Sequence, residues 1–446
     1  MNNRRLINHL VRWTFITAAL CASMVSCKTT QPIIDSKDLS YLYNPAKNFL
    51  NPRYTVFNDN DRTSILHVKF FPSDLFFSEA NPEGIPMAQL MLSVKLYNIS
   101  DGRVIADTAA FNLNIPKRES SSEYTYSVSL NVEPGNEYIA EAKVLDRLRQ
   151  HVAQAFIPFN TLSNTNKYSF IVRGHFTKNM LFNPVLRSNE YVNLVYPRLP
   201  VDSLFVSRYS LLENVPYPPS MLLPEKVIDY EPDTTIAFAY SDTLPVMLPA
   251  KGVYLFKTDR ELTEGFTFFN FGNEFPSQTT PESMIEPLGY LASEDEMNSL
   301  RLSPRQKLAL DNFWIRCGGN IEKARELIRI YYTRVLYSNY YFTSFKEGWR
   351  TERGMIYIIY GPPDKVYKTT EGEQWGYRKP VIRSSWGGRY HLKENYIFFN
   401  FRLRESMFSD NDYYLSRSET LVTQWDQAVA SWRKGIVFRL DNPSDF

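Results

Sequence analysis

Cysteine is almost absent from this chain, with three residues in 446. Cys21 and Cys27 lie at the end of an apolar N-terminal run and Cys317 stands alone. After processing of that end, no intramolecular disulfide can form. Histidine is nearly as scarce. His67, His151, His175 and His391 are the only ones beyond the first 26 residues; none is at metal-ligand spacing, and there is no His-Glu-x-x-His. The chain also lacks a Gly-x-Ser-x-Gly elbow, a phosphate loop and a dinucleotide fingerprint, so it indicates no catalytic residue and no cofactor. Neither sign of charge dominates: 50 Lys and Arg face 48 Asp and Glu. Without a basic stripe, nucleic acid is not an expected partner. No apolar run reaches the roughly 20 residues a bilayer span requires.

The N-terminus carries an address. Arg4, Arg5 and Arg12 precede a mostly apolar run from Trp13 to Val25, the pattern of a secretory signal peptide. Its end, Ser23-Met24-Val25-Ser26-Cys27, resembles a bacterial lipobox, with Met24 where leucine is more usual. Cys27 is therefore the expected lipidation site, and acyl chains there would anchor the protein stably. Loss of 1–26 removes three arginines and no acid, taking the formal charge from +2 to −1. Lys28 follows Cys27, with no aspartate there and no acidic cluster after it. The expected location is the outer membrane, facing the periplasm, with surface exposure left open.

Residues 27–52 read as a polar, lipid-anchored tether. From 53 the apolar pattern has period two, as in strands with one buried face. Leu90, Leu92, Val94 and Leu96 alternate with polar or flexible neighbours, as do Tyr124, Tyr126, Val128, Leu130 and Val132, and then Tyr138, Ala140, Ala142 and Val144. Such strands, separated by turn residues, predict an immunoglobulin-like β-sandwich over 53–174. Residues 175–292 read as a second β-rich, Pro-rich domain, with a long ordered linker as the alternative. Nine of the 27 prolines fall between Pro197 and Pro249, which confines pairing to edges and short strands. Thr235–Tyr240, Gly252–Lys257 and Gly265–Phe271 are its predicted strands. No internal repeat is visible.

Helices are expected only within 293–446, an α+β domain. Ser293 with Glu294, Asp295 and Glu296 marks one start, Ser303-Pro304 a second and Asn320 a third. Ile321, Ala324, Ile328, Tyr331 and Val335 form the apolar face of that third helix. The segments 374–377 and 395–403 read as strands, with Trp386-Gly387-Gly388 as the turn between them. Trp425 and Trp432 fall in a C-terminal helix over 419–433. The fold class is mainly β, with helices leading into a small C-terminal sheet.

The most distinctive segment is Gly348-Trp349-Arg350-Thr351-Glu352-Arg353-Gly354, followed by an apolar run from Met355 to Tyr360 and by Gly361-Pro362-Pro363-Asp364. Gly348 and Gly354 bracket a loop and can adopt backbone angles other residues avoid. Trp349 is an apolar anchor with one N–H to satisfy, and Thr351 and Glu352 can fix a turn. The continuous apolar run predicts a central strand. As six strand residues span about 20 Å, Arg353 and Asp364 at its two ends are not expected to pair.

These residues resemble the GWxTD-domain family of bacterial envelope proteins over roughly 295–440. The resemblance rests on the preceding helix, Gly348-Trp349-x-Thr351, the apolar run, Gly361-x-Pro363-Asp364 and a later Glu373-x-Trp375-x-Tyr377. One position departs: the family has Asp where this chain has Glu352, moving the carboxylate one methylene outward. The resemblance implies a fold and an envelope location but no reaction. The expectation is a non-catalytic outer-membrane lipoprotein that acts as an interaction or scaffold module for envelope protein partners in assembly, secretion or transport. Two alternatives stay open: a glycan- or peptidoglycan-binding module, given that 15% of residues are aromatic, and a hydrolase using Glu352 or Asp364.

Overall fold

A computed structural model describes residues 38–438 apart from 79–83, 120–121, 220, 222–229, 380–382, 387–388, 393–394 and 418–421. The signal segment, Cys27, the start of the tether and the Gly387-Gly388 turn lie outside the described residues.

The first strands form two packed antiparallel sheets. One holds β1 (Arg53–Asn60), β2 (Thr63–Phe70) and β5 (Tyr124–Asn131), in the order β1-β2-β5. The other holds β3 (Met87–Asn98), β4 (Val104–Pro116), β6 (Glu137–Asp146) and β7 (His151–Asn160), in the order β4-β3-β6-β7. Their shared core takes Leu66, Val68 and Leu130 from one sheet and Leu90, Leu92, Val94, Leu96, Ala140 and Val144 from the other. The alternation in the sequence is thus the inward face of an immunoglobulin-like sandwich.

The next seven strands repeat this connectivity without an internal repeat in the sequence. β8 (Ile171–Gly174), β9 (Val192–Val195) and β12 (Pro245–Val246) pair in the order β12-β9-β8. β10 (Ser203–Tyr209), β11 (Thr234–Ala239), β13 (Gly252–Lys257) and β14 (Phe266–Asn270) pair in the order β11-β10-β13-β14. In both units the first, second and fifth strands make one sheet, and the fourth, third, sixth and seventh make the other. Both also carry a tyrosine on the sixth strand that bonds back to the preceding turn, a device of immunoglobulin-like folds. The Tyr138 hydroxyl donates to the Glu133 carbonyl (3.2 Å) and accepts from the Glu133 N–H (2.7 Å). The Tyr254 hydroxyl donates to the Ala250 carbonyl (2.9 Å). The Pro-rich stretch is therefore a second sandwich rather than a linker.

The outer face of its four-stranded sheet is covered at β10, β13 and β14, while β11 stays largely exposed. Tyr209, Val253, Leu255, Phe269, Phe271 and Phe275 share a core with Phe345 and Phe408 of the C-terminal region. That region opens with α1 (Pro281–Ile285), α2 (Glu294–Leu302), α3 (Gln306–Gly318) and α4 (Ile321–Phe342). Ser293 caps α2 in a reciprocal capping box with Glu296, and the Asn320 side chain accepts from the Lys323 N–H at 2.8 Å to cap α4. Ser303 and Pro304 do not start a helix, contrary to expectation. Ser303 closes α2, and α3 begins at Gln306.

The principal correction concerns the apolar run after the motif. It is a helix, α5 (Glu352–Tyr360), and not a strand. It lies between α4 and a sheet ordered β15-β16-β19-β20, made of β15 (Lys365–Lys368), β16 (Gly372–Arg378), β19 (Tyr396–Leu403) and β20 (Tyr413–Leu415). Every residue from Arg353 to Tyr360 is buried. A helix covered on all sides has no polar face, so its sequence shows no 3.6-residue period. The hairpin β17 (Arg383–Trp386) and β18 (Arg389–Leu392), and α6 (Val422–Arg433), complete the region.

The segment read as a tether is packed in its described part. A 3-10 turn over Ser40–Tyr43 buries Leu39 and Tyr43, and Leu50 is buried further on. The Leu39 N–H donates to the Val366 carbonyl (2.8 Å), and the Val366 N–H donates to Asp38 Oδ1 (3.0 Å). The Gln154 N–H of β7 donates to the Tyr41 hydroxyl (3.1 Å). This strap therefore joins the C-terminal sheet to the first sandwich. No helix among the described residues is long and apolar enough to cross a membrane.

Candidate functional site

The motif forms the junction of α4 and α5. Gly348 begins a 3-10 turn laid against the end of α4. A Cβ on it would overlap the Ser338 carbonyl, and a Cβ on Gly354 would overlap the Gly348 carbonyl. These glycines allow close backbone approach; neither has the positive φ that the sequence reading gave as their reason. Gly361 does have one, +85°, and it closes α5 under the Arg334 guanidinium. Arg334 Nη1 caps the helix by donating to the carbonyls of Ile358 (2.8 Å) and Ile359 (3.0 Å). Pro363 is buried beside this turn and Pro362 half-buried, and the Tyr377 hydroxyl donates to the Gly361 carbonyl (2.9 Å).

Thr351 is the N-cap of α5. Its Oγ1 accepts from the Gly354 N–H (3.0 Å) and donates to the Gly348 carbonyl (2.7 Å). Glu352 follows in the first turn, where the helix dipole favours a carboxylate. It holds Arg417 in a fork at 2.9 and 3.1 Å and accepts from the Leu415 N–H, fixing β20 to α5. Asp364 is exposed and accepts from the Arg378 N–H (2.8 Å). Neither carboxylate faces the other across a cleft, and both are engaged by donors.

Trp349 is buried against Tyr290, whose hydroxyl donates to its carbonyl (2.6 Å). Its peptide N–H donates to Asn339 Oδ1 (3.0 Å), and the Asn339 amide donates to the Pro276 carbonyl (2.7 Å). The indole N–H has no partner among the described residues. The Arg350 guanidinium lies 4.1 Å over the ring.

The strongest electrostatic feature is one that the sequence suggested only in outline. Glu373, on β16, is fully buried and accepts from four groups. Arg353 Nη1 lies 3.1 Å away, Lys368 Nζ 2.9 Å, the Tyr43 hydroxyl 2.8 and 3.0 Å from its two oxygens, and Trp375 Nε1 2.9 Å. Burial alone would push the Glu373 carboxyl up; Lys368 and Arg353 outweigh that and hold it at about 2. Burial would lower Lys368, but the same carboxylate keeps it above its ordinary value. Burial, and then Glu373, push the Tyr43 phenol up. Arg353 lies 3.7 Å over the Tyr413 ring and also donates to Asn411. A carboxylate that is fully ionised and surrounded by donors has no lone pair free to take a proton, so this cluster is built to hold elements together.

The structure thus brings Gly348, Trp349, Thr351, Glu352 and Gly354 together at one junction, with Trp375 and Tyr377 in the core of the facing sheet. Asp364 lies apart. Tyr43, Arg334 and Arg417 were not anticipated, because their partners are distant in the chain; Lys368 and Asn339 lie near theirs in sequence, but a hairpin and a helix–turn junction bring them together. The Cys317 thiol is buried at the end of α3 and pushed up by that burial.

An α+β module with a capped glycine–tryptophan junction, fused to a sandwich sheet, defines the class. Residues 252–434 match the GWxTD domain, so the chain carries a GWxTD domain. The match begins at β13, earlier than the resemblance in the sequence; β13 and β14 supply Val253, Leu255 and Phe269 to the core shared with Phe345 and Phe408. No curated protein matches the chain. Among solved structures, it is similar to a putative beta-galactosidase from Bacteroides fragilis at 12% identity and a TM-score of 0.16, covering 24% of this chain and 16% of that one. It is also similar to a calcium-binding mutant of Bacteroides uniformis beta-glucuronidase 2 at 11% identity and a TM-score of 0.18, covering 34% and 15%. The alignments thus span a small part of those enzymes, and at such scores neither likeness bears on fold or activity.

Proposed function

We propose that this protein is a non-catalytic, lipid-anchored scaffold of the bacterial outer membrane that holds envelope partners in assembly, secretion or transport. One observation carries this reading: the side-chain oxygens of Thr351, Glu352 and Glu373 are engaged inside the protein, where they join α4, α5, the C-terminal sheet and the strap. A motif built this way makes a platform, and its specificity lies on surfaces around it. The N-terminal segment ending at Cys27 supports the location. The test is gentle detergent extraction of membranes followed by capture of the tagged full chain. Recovery of defined partners is expected; a lone monomer in several detergents would overturn the scaffold reading. Cys27→Ala should move the protein out of the membrane fraction.

A further inference from the structure

A cavity of about 960 Å³ lies where the two sandwiches and the helical module meet. Its walls come from β1 and β2, from the 174–192 segment between β8 and β9, and from the end of α4. Module junctions are favoured places for ligand sites, and this volume is in the usual range. No residue of 348–364 lines it, although Asn339, which holds Trp349, and Pro276 do.

Three features of the lining converge. The first is uncovered aromatic surface. Phe176 is 79% exposed and stands edge-on to Tyr191, itself 40% exposed, with ring centroids 6.1 Å apart. The second is a set of exposed carboxamides. Asn179 and Asn189 make no side-chain hydrogen bond among the described residues, and each amide offers both donor and acceptor. The third is Arg53. Its guanidinium stacks 4.0 Å over the Tyr340 ring and is half-buried; it lies in the field of the Asp74 carboxylate, yet among the described residues it makes no ion pair and no hydrogen bond. The neighbouring cation, Lys69, is already engaged by Glu123 (2.6 Å) and the Met180 carbonyl (3.0 Å).

We propose that this cavity binds an oligosaccharide bearing a carboxylate. The apolar C–H face of a sugar ring fits the open Phe176 and Tyr191 rings. Its hydroxyls match the carboxamides, which give and accept hydrogen bonds as hydroxyls do. A carboxylate takes the planar guanidinium of Arg53 in a two-pronged bond, which no described residue makes with it, Asp74 acting on it only through space. A neutral sugar would leave Arg53 unanswered, and a simple anion would leave the aromatic surface bare. Such a carboxylate could belong to a uronic acid or to the lactyl group of muramic acid.

The experiment is calorimetric titration of the full chain in detergent with tetragalacturonate, with the disaccharide N-acetylglucosaminyl-N-acetylmuramic acid, with cellotetraose, and with a glutamate tetrapeptide. Saturable binding of either acidic saccharide, at least about tenfold tighter than cellotetraose, is expected, and the one that binds identifies the source. Arg53→Gln should abolish the preference for the acid, while Phe176→Ala, at an exposed position that leaves the fold unchanged, should weaken every saccharide. Failure of both acidic saccharides to bind would overturn the proposal. So would equal binding of cellotetraose, tighter binding of the peptide, or affinity unmoved by both substitutions.

Discussion

The Tyr43 hydroxyl reaches both carboxylate oxygens of Glu373, at 2.8 and 3.0 Å, across 330 positions of chain. The Tyr357 hydroxyl in turn donates to the Tyr43 carbonyl (3.0 Å). The strap is thereby held by buried hydrogen bonds to α5 and β16. Tyr43→Phe keeps the ring packed against Phe342 and Trp375 but removes the bond to Glu373. A loss of about 1–2 kcal/mol is expected, with faster proteolysis within 38–52. Limited digestion followed by mass mapping checks it; unchanged cleavage there would show that the bond does not hold the strap.

Glu373→Gln leaves Arg353 and Lys368 without their counter-charge and should cost about 3–5 kcal/mol near neutrality. The pH dependence has a definite sign. Glu373 is held at about 2 against an ordinary 4.5. Its contribution is therefore present above pH 4.5 and is lost as pH falls toward 2. Asp412, pushed up by burial, acts in the opposite sense. The Glu373 effect is thus read as the difference between wild type and E373Q in urea titrations, which should narrow steadily from pH 5 to pH 2.

Gly354→Ala places a methyl group on the Gly348 carbonyl, and Gly348→Ala places one on the Ser338 carbonyl. Backbone cannot rotate away as a side chain can. Each substitution should cost at least about 3 kcal/mol, since ordinary overpacking of a core already costs about 1–3. Gly84→Ala is the control for strain from positive φ alone, because nothing lies near its Cβ position. Melting temperatures should rank it well above the other two.

Trp349 separates packing from hydrogen bonding. Its indole N–H has no partner among the described residues, so Trp349→Phe loses only ring area and should cost about 1–2 kcal/mol. Trp349→Ala opens a cavity and should cost about 3–5 kcal/mol. Equal losses in chemical denaturation would mean that the indole nitrogen matters after all.

The paired tyrosine corners predict parallel effects in the two sandwiches. Tyr138→Phe removes one donated and one accepted bond, and Tyr254→Phe one donated bond. Losses of about 2 and about 1 kcal/mol are expected, in that order. Hydrogen exchange of β6 and β13 amides would localise each loss to its own unit.

Much of this was legible before the structure. The alternation at Leu90–Leu96 and Tyr138–Val144 gave the first sandwich, because a sheet with one wet face must alternate. Ser293 and Asn320 marked helix starts because capping is a local, side-chain event. The second sandwich was blurred by its prolines and by β12, only two residues long. Helix α5 was misread because burial on all sides removes the period that distinguishes helix from strand. Thr351 before Glu352, with Gly361 nine residues beyond, was a cap-and-stop signal that could have shown it.

By itself, then, the sequence determined local matters: which stretches alternate, where helices are capped, and which glycine–tryptophan segment marks the family. Tertiary structure alone decided that the two sandwiches share one connectivity and that Phe269 and Phe408 belong to one core. It also decided that Tyr43, Arg353, Lys368 and Glu373 meet. The reason is physical. Capping and alternation depend on neighbours within a turn or a strand, whereas a buried carboxylate finds its cations through three-dimensional packing, which sequence spacing does not encode.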